Sequence, residues 1–232
     1  MLAFLLTSQN SFATWSIIIV DSATGEIGIA GASCTYSVYG IGGIVPGKGA
    51  IVDQAMSNMN AKRKGMEMLK SGSSPEEILY VIIDPTFDPG SNLQQYGIVS
   101  INHMDKPITF TGGSTHPSRG SYTADGISIQ GNTLANENVL KAVYDTVANA
   151  RKRGLSIRET LIKALLAGSE AGGDIRCGRQ KASSAFITVM KPGDNPKKPY
   201  VNLVVSGISK GGSNAVSVLE NLYLKWEIKH RG

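Results

Sequence analysis

Three histidines and two cysteines among 232 residues leave no His/Cys spacing of the kind that holds a metal ion. No run approaches the roughly 18 apolar residues of a membrane-spanning helix. The apolar runs Ile17 to Val20 and Val81 to Ile83 have the size of a strand or of one helix face. Charge is sparse at 18%, and the basic residues come in short separate groups, Lys62 to Lys64, Arg151 to Arg153, Lys197 with Lys198, and Lys229 to Arg231. No aromatic residues are interleaved for stacking, so the net charge of +5 reads as a solvated basic surface, and neither a nucleic-acid nor a membrane partner is expected. What is present is 41% hydrophobic residues and 27 glycines, which excludes disorder, collagen and coiled coil. A chain of this length buries about 70% of its unfolded surface, so its core needs no metal to hold it.

Several motifs fail on inspection. Gly207, Ile208, Ser209, Lys210 and Gly211 match the nucleophile-elbow pattern between a strand and a helix. The rest of a triad is missing, because His230 lies in a charged tail, His103 in a hairpin turn and His116 in a Gly/Ser/Pro loop. Gly42, Gly47 and Lys48 satisfy most of a phosphate-binding loop, but Gly49 stands where the metal-binding hydroxyl belongs. No cofactor is called for. Cys34 and Cys177 leave two readings, a disulfide if the chain is exported or two separate thiols. A bridge would put their Cα atoms within about 7 Å. A Cys34 nucleophile has no histidine placed to activate it.

Residues 1 to 13 carry no charged side chain, begin with apolar Leu2 to Leu6 and end in Ser11, Phe12, Ala13. Small residues at −3 and −1 are what signal peptidase accepts, so the segment reads as the end of a signal peptide, and Thr14 as the first mature residue. The apolar stretch is short, which would set Met1 inside a longer precursor; the other reading is an N-terminal extension. The expected location is the periplasm or outside the cell, with the cytoplasm as the alternative if residues 1 to 13 are no signal.

Thr14 to Val20 and Glu26 to Cys34 predict a hairpin. Gly40 to Gly49 reads as a loop crossing to the short segment Ala50 to Ala55. A helix is expected over Asn58 to Lys70, and a second begins at the capping box of Ser74, Pro75 and Glu77. Strands are predicted at Tyr96 to Ile101, Ile108 to Thr111 and Tyr122 to Gln130. Helical faces follow from Val139 and from Ile157, the latter capped by Ser156. Two more strands, Ser184 to Met190 and Tyr200 to Val205, precede a last helix through Val216 to Trp226. Paired helices between runs of strands favour an α+β fold of two largely antiparallel sheets with helical layers outside, one domain over residues 14 to 232.

A threonine at a free amino terminus is nucleophile and base in one residue, since its α-amine has a pKa near 7.7 to 8. Oxyanion donors would come from glycine-flanked segments leaving strands, Gln130 to Asn132 and Thr111 to Ser114. The reading therefore makes Thr14 the nucleophile and Asn132 and Gly112 the oxyanion donors. Ser33, Gln54, Asp174 and Arg176 are orienting or substrate-binding groups, with a surface ion pair closing a helix as the other reading of Asp174 and Arg176.

These segments also carry a resemblance. Thr14 to Asp21, Gly25, Glu26, Gly28, Ala30 to Cys34, Gln95 to Val99, Thr111, Gly112, Ser128 to Asn132, Gly172 to Gln180, Ser184 and Ala185 resemble domain-of-unknown-function family 1028, an Ntn-hydrolase-like (N-terminal-nucleophile) family. The helix segment Gly65 to Ile82 is similar as well, and the likeness extends over residues 14 to 205. It implies a four-layer αββα sandwich and amidohydrolase-type chemistry, with Thr14 matching the threonine that opens the first strand. The chain departs from the pattern in Cys177 before Gly178, between Arg176 and Arg179. Three functions stand: an amide hydrolase using Thr14 on a small-molecule or peptide substrate, an inactive sandwich that binds or scaffolds, and a Cys34-dependent hydrolase. Self-association into a homo-oligomer is left open.

Overall fold

The computed structural model describes residues 14–230; the expectations for residues 1 to 13 lie outside the described residues. β1 (Thr14–Val20) and β2 (Ile27–Ser33) form the expected hairpin, closed where Gly25 takes a left-handed φ of +72°. β3 (Gly42–Val45) and β4 (Gly49–Ala55) follow, then α1 (Met59–Ser71) and α2 (Pro75–Ile82). β5 (Gln94–Ser100), β6 (Ile108–Thr111), β7 (Gly120–Ala124) and β8 (Ile127–Asn132) lead to α3 (Asn138–Lys152) and α4 (Ile157–Glu170). β9 (Ser184–Met190), β10 (Val201–Val205) and α5 (Ala215–His230) complete the order.

Two expectations change. The glycine-rich stretch is not a plain loop, because it contains β3 as an edge strand. Its glycines serve close packing: a Cβ on Gly42 would stand 2.8 Å from Ile29 Cδ1 of the facing sheet, and one on Gly43 2.3 Å from Met66 Sδ of α1. The expected single strand Tyr122 to Gln130 is two strands, turned at Asp125 and Gly126, where Gly126 has φ +67°. Asp-Gly is a short hairpin signal that the flanking alternation hides.

All strand pairs are antiparallel. One sheet has the order β10-β9-β2-β1-β8-β7, the other β3-β4-β5-β6. Successive side chains on a strand point to opposite faces, and the packing divides accordingly. Trp15, Ile17 and Ile19 of β1 meet Val143, Leu161, Leu165 and Leu219 of α3, α4 and α5 in one outer core. Ile18 and Val20 point the other way, to Val52 and Val99 of the second sheet. On that sheet's outer face, Ile51, Tyr96 and Ile98 pack against Leu69 of α1 and Ile78 of α2. The layers are therefore helices, sheet, sheet, helices. Among the described residues, no helix is long and apolar enough to cross a membrane.

Candidate functional site

The space between the sheets is not uniform. At one end it is apolar, filled by Ile18, Val20, Ile27 and Ile29. At the other end β-register lines up a row of hydroxyls and amides: Ser184 opposite Ser33, Ser33 opposite Thr14, and Thr14 opposite Asn132, on four adjacent strands. The facing sheet answers with Gln54 opposite Gln95 and Gln95 opposite Thr111. All but Thr111 are buried. Unpaired polar groups there would each cost on the order of 1–3 kcal/mol, so the network has to close on itself.

Its three amides do. Gln54 Nε2 donates to Gln95 Oε1 at 2.7 Å and reaches the Thr14 carbonyl at 3.4 Å. Ser16 Oγ donates to Gln54 Oε1 at 2.6 Å and accepts from Gln130 Nε2 at 2.6 Å, and Ser128 Oγ donates to Gln130 Oε1 at 2.6 Å. Gln95 Nε2 donates to Thr111 Oγ1 and to the Gly131 carbonyl at 2.9 and 3.0 Å. Asn132 Nδ2 donates to Gln95 Oε1 at 3.2 Å. An amide NH₂ has two protons, so Asn132 keeps a second donor beside Thr14.

The loop after α4 spans the strand ends next to Thr14. Asp174 is fully buried and caps the short helical turn Ile175–Gln180. It accepts from the Cys34 amide at 2.7 Å, just past β2, and its backbone bridges Leu134, just past β8. Arg176 grips the same carboxylate through Nε at 3.1 Å and Nη2 at 2.8 Å. The pair is thus half-buried rather than on the surface, with Asp174 enclosed and the Arg176 side chain 32% exposed, and Asp174 ties the two strands flanking β1. Cys34 and Cys177 are joined by a disulfide with a Cα separation of 5.6 Å, inside the expected limit. The bond anchors the turn that carries Arg176.

Thr14, Ser33, Gln54 and Asn132 are therefore brought together, with Asp174 and Arg176 at the strand ends. Gly112 is not brought in as a donor: its N–H is bonded to the Gln94 carbonyl at 2.9 Å and its own carbonyl accepts from Thr115. A Cβ there would stand 2.2 Å from the Asn92 carbonyl oxygen, so this glycine serves backbone packing. Sequence reasoning did not assign Ser16, Gln95 or Ser184 to the site. Their only signal is polarity at alternate positions that should face a core, which becomes a site only once the register is known. Arg176 lines a cavity at the β2 end; Arg179 does not. Lys48 sits in the β3–β4 turn rather than before a helix, which removes the setting a phosphate loop needs. Among the described residues, no three His, Cys, Asp or Glu side chains gather to hold a metal.

Two cavities flank this end. One of about 760 Å³ is walled by Gly113, Thr115, Arg119 and Asn136, the other of about 490 Å³ by Tyr36, Arg176 and Lys210. Thr14 itself is 1% exposed and lines neither.

Fold and site together define an αββα protein of two face-to-face antiparallel sheets with a closed polar network at one end. Residues 14–210 match the family described as "Family of unknown function (DUF1028)", and the chain belongs to it. A crystal structure of a DUF1028 protein from Silicibacter pomeroyi is similar, with a TM-score of 0.77 and 26% identity over 93% of this chain and 86% of that one. No curated protein matches the chain.

Proposed function

We propose that the protein is an amide hydrolase of the N-terminal-nucleophile type, active in the form whose first residue is Thr14. The observation that carries this reading is the position of Thr14, at the start of a central strand between Ser33 and Asn132. Gln54 lies against its carbonyl at the polar end of the space between the sheets. In that form Thr14 Oγ attacks the amide carbonyl carbon while the α-amine, directly or through one water, takes the hydroxyl proton. The second Nδ2 proton of Asn132 meets the oxyanion. Collapse breaks the C–N bond, the ammonium returns its proton to the leaving amine, and an ester remains on Thr14. Water, deprotonated by the same amine, then releases the acid.

While residue 13 is attached, the Thr14 nitrogen is a peptide nitrogen and has no basic lone pair, so the uncut chain is inactive on this reading. The disulfide suits an oxidising compartment and supports export. It also ties up the Cys34 sulfur, which supports Thr14 over a Cys34 thiolate as the nucleophile.

One observation favours a second reading, an inactive binding sandwich: Thr14 is buried in the 232-residue chain. The test is to express the full-length gene with export, take the intact mass, and assay the product against a panel of amides. A product starting at Thr14 that hydrolyses at least one amide, with loss in Thr14→Ala, is expected. A product retaining residues 1 to 13 and inert throughout favours the binding reading.

A further inference from the structure

β3 is an edge strand, and the cleft between it and β2 and β9 of the facing sheet is a third cavity, of about 250 Å³. We propose that this cavity binds a linear saturated carboxylate of about eight to ten carbons, its chain inside the cleft and its carboxylate at the mouth. The inference goes beyond the Thr14 reading and is independent of it. From Ile29 in the cavity to Ser33, the partner of Thr14, β2 advances about 13 Å, so the cavity is a separate site.

The lining sets the chemistry of the chain. Ile29, Ile44, Phe186 and Met190 are buried side chains from both sheets, and Met66 lines the cleft from α1. A cavity of roughly 150 Å³ walled by such residues takes benzene, so about 250 Å³ scales to eight to ten carbon atoms. The two methionines are unbranched and adapt to a flexible chain. The polar atoms on the walls are already committed: Thr188 Oγ1 donates to Asn202 Oδ1 at 3.0 Å, and Asn202 Nδ2 donates to the Tyr39 hydroxyl oxygen at 3.3 Å. No Asp or Glu lines the cavity. A ligand with polar groups along its length would bury them unpaired, which leaves a hydrocarbon chain.

The cleft is also preset. Pro192, at the root of the β9–β10 loop, packs against the β1–β2 turn at Gly25 and the β3–β4 turn at Gly47, and so touches both sheets. Asp194 Oδ2 accepts from the Lys191 and Tyr200 amides at 3.0 and 2.8 Å. The side-chain and backbone oxygens of Asn195 accept from the Lys197 and Lys198 amides at 2.9 and 2.7 Å. These bonds fix a loop that supplies Pro196 and Pro199 to the wall, so binding has little left to order.

Lys197 and Lys198, both exposed, lie between those prolines. Neither forms an ion pair among the described residues, and the carboxylate of Asp194 is engaged by the loop's own amides. Two cations at the mouth of an apolar cleft complement a ligand with one anionic end.

The test is a methyl chemical-shift titration of the full chain with hexanoate, octanoate and octan-1-ol. The octanoate shifts are expected to concentrate on the methyls of Ile29, Ile44, Met66 and Met190. Octanoate should bind on the order of tenfold more tightly than hexanoate, from two more buried methylenes, and about threefold or more tightly than octan-1-ol. Lys197→Ala and Lys198→Ala made together, on an exposed loop where the fold is not at stake, should erase the preference over octan-1-ol and leave the affinity for octan-1-ol unchanged. No binding, shifts spread over other surfaces, equal affinities for hexanoate and octanoate, or an octanoate preference untouched by the double change would overturn the proposal. Because binding is read without turnover, the result does not depend on amide hydrolysis.

Discussion

Replacing Thr14 with alanine removes the hydroxyl and keeps the α-amine, so on the proposed chemistry Thr14→Ala loses turnover while unfolding shifts by only about 1 kcal/mol, the cost of an average substitution. Thr14→Ser keeps both groups and should keep activity. Asn132→Ala removes one oxyanion donor and should lower kcat by about 100- to 1000-fold, read in the same amide assay. A different residue controls the response to pH. Asp53 follows the opposite alternation to Gln54 and points under α1, where burial pushes its carboxyl up to about 8. The Asn58 amide and Ser57 hydroxyl bonded to it, and the Lys62 charge nearby, only partly oppose that rise, and Asp88 adds to it. The folded chain therefore holds this proton up to about pH 8, while the unfolded chain releases it near 3.8. Stability from this group is greatest below the unfolded value and falls as pH rises from about 4 to 8. Urea midpoints across that range should decline, and Asp53→Asn should flatten the decline. An unchanged slope in the variant would show that another group is responsible.

Elements that carry their own local signals were legible in the sequence. Ser74, Pro75 and Glu77 marked the start of α2, and both halves of the capping box are present, with Ser74 Oγ accepting from the Glu77 amide at 3.2 Å and the Ser74 amide donating to Glu77 Oε2 at 2.8 Å. Ser74→Ala should cost about 1 kcal/mol in thermal unfolding. β3 was not legible, because its glycines are there for the neighbours Ile29 and Met66 and not for a turn. The polar row was legible only in part. Thr14 and Asn132 stand beside recognisable strand ends, whereas Ser16 and Gln95 join them only through pairing across sheets, which local periodicity does not encode. Gly112 misled for the same reason, since its N–H is claimed by a residue 18 positions earlier, Gln94. The turn Ile175–Gln180 depends on its covalent tie to β2 across 143 residues. Chain entropy puts an upper value of about 4 to 5 kcal/mol on closing such a loop. Cys34→Ser with Cys177→Ser should therefore lower the denaturation midpoint in oxidising buffer, and the gap to the unmutated protein should vanish under reductant. A gap that persists under reductant would assign the loss to packing of the cysteines instead.

Across the whole molecule, the separation of the two sheets decides whether the polar end exists. Gly97 sits at the contact, where a Cβ would stand 2.2 Å from Gln130 Oε1 and 2.6 Å from Ser128 Oγ. Gly97→Ala must push β5 from β8 or break the bonds among Ser16, Ser128 and Gln130, and overpacking of this kind costs about 1–3 kcal/mol. Equal stability of Gly97→Ala in urea unfolding would mean that the sheets part more easily than their packing implies. β2 and β8 hold Thr14 between two strand ends, and the disulfide and the Asp174 fork close the same end; on the proposed chemistry this architecture serves one residue whose amine and hydroxyl have separate tasks. The central claim is that the amine is the base. Its most direct measurement compares the rate of amide hydrolysis by protein beginning at Thr14 with that by protein carrying one extra residue before it, every side chain from Thr14 onward being the same. The account predicts that the extension is nearly as damaging as Thr14→Ala, because it converts the amine to a peptide nitrogen. Hydrolysis at the same rate in both forms would contradict it.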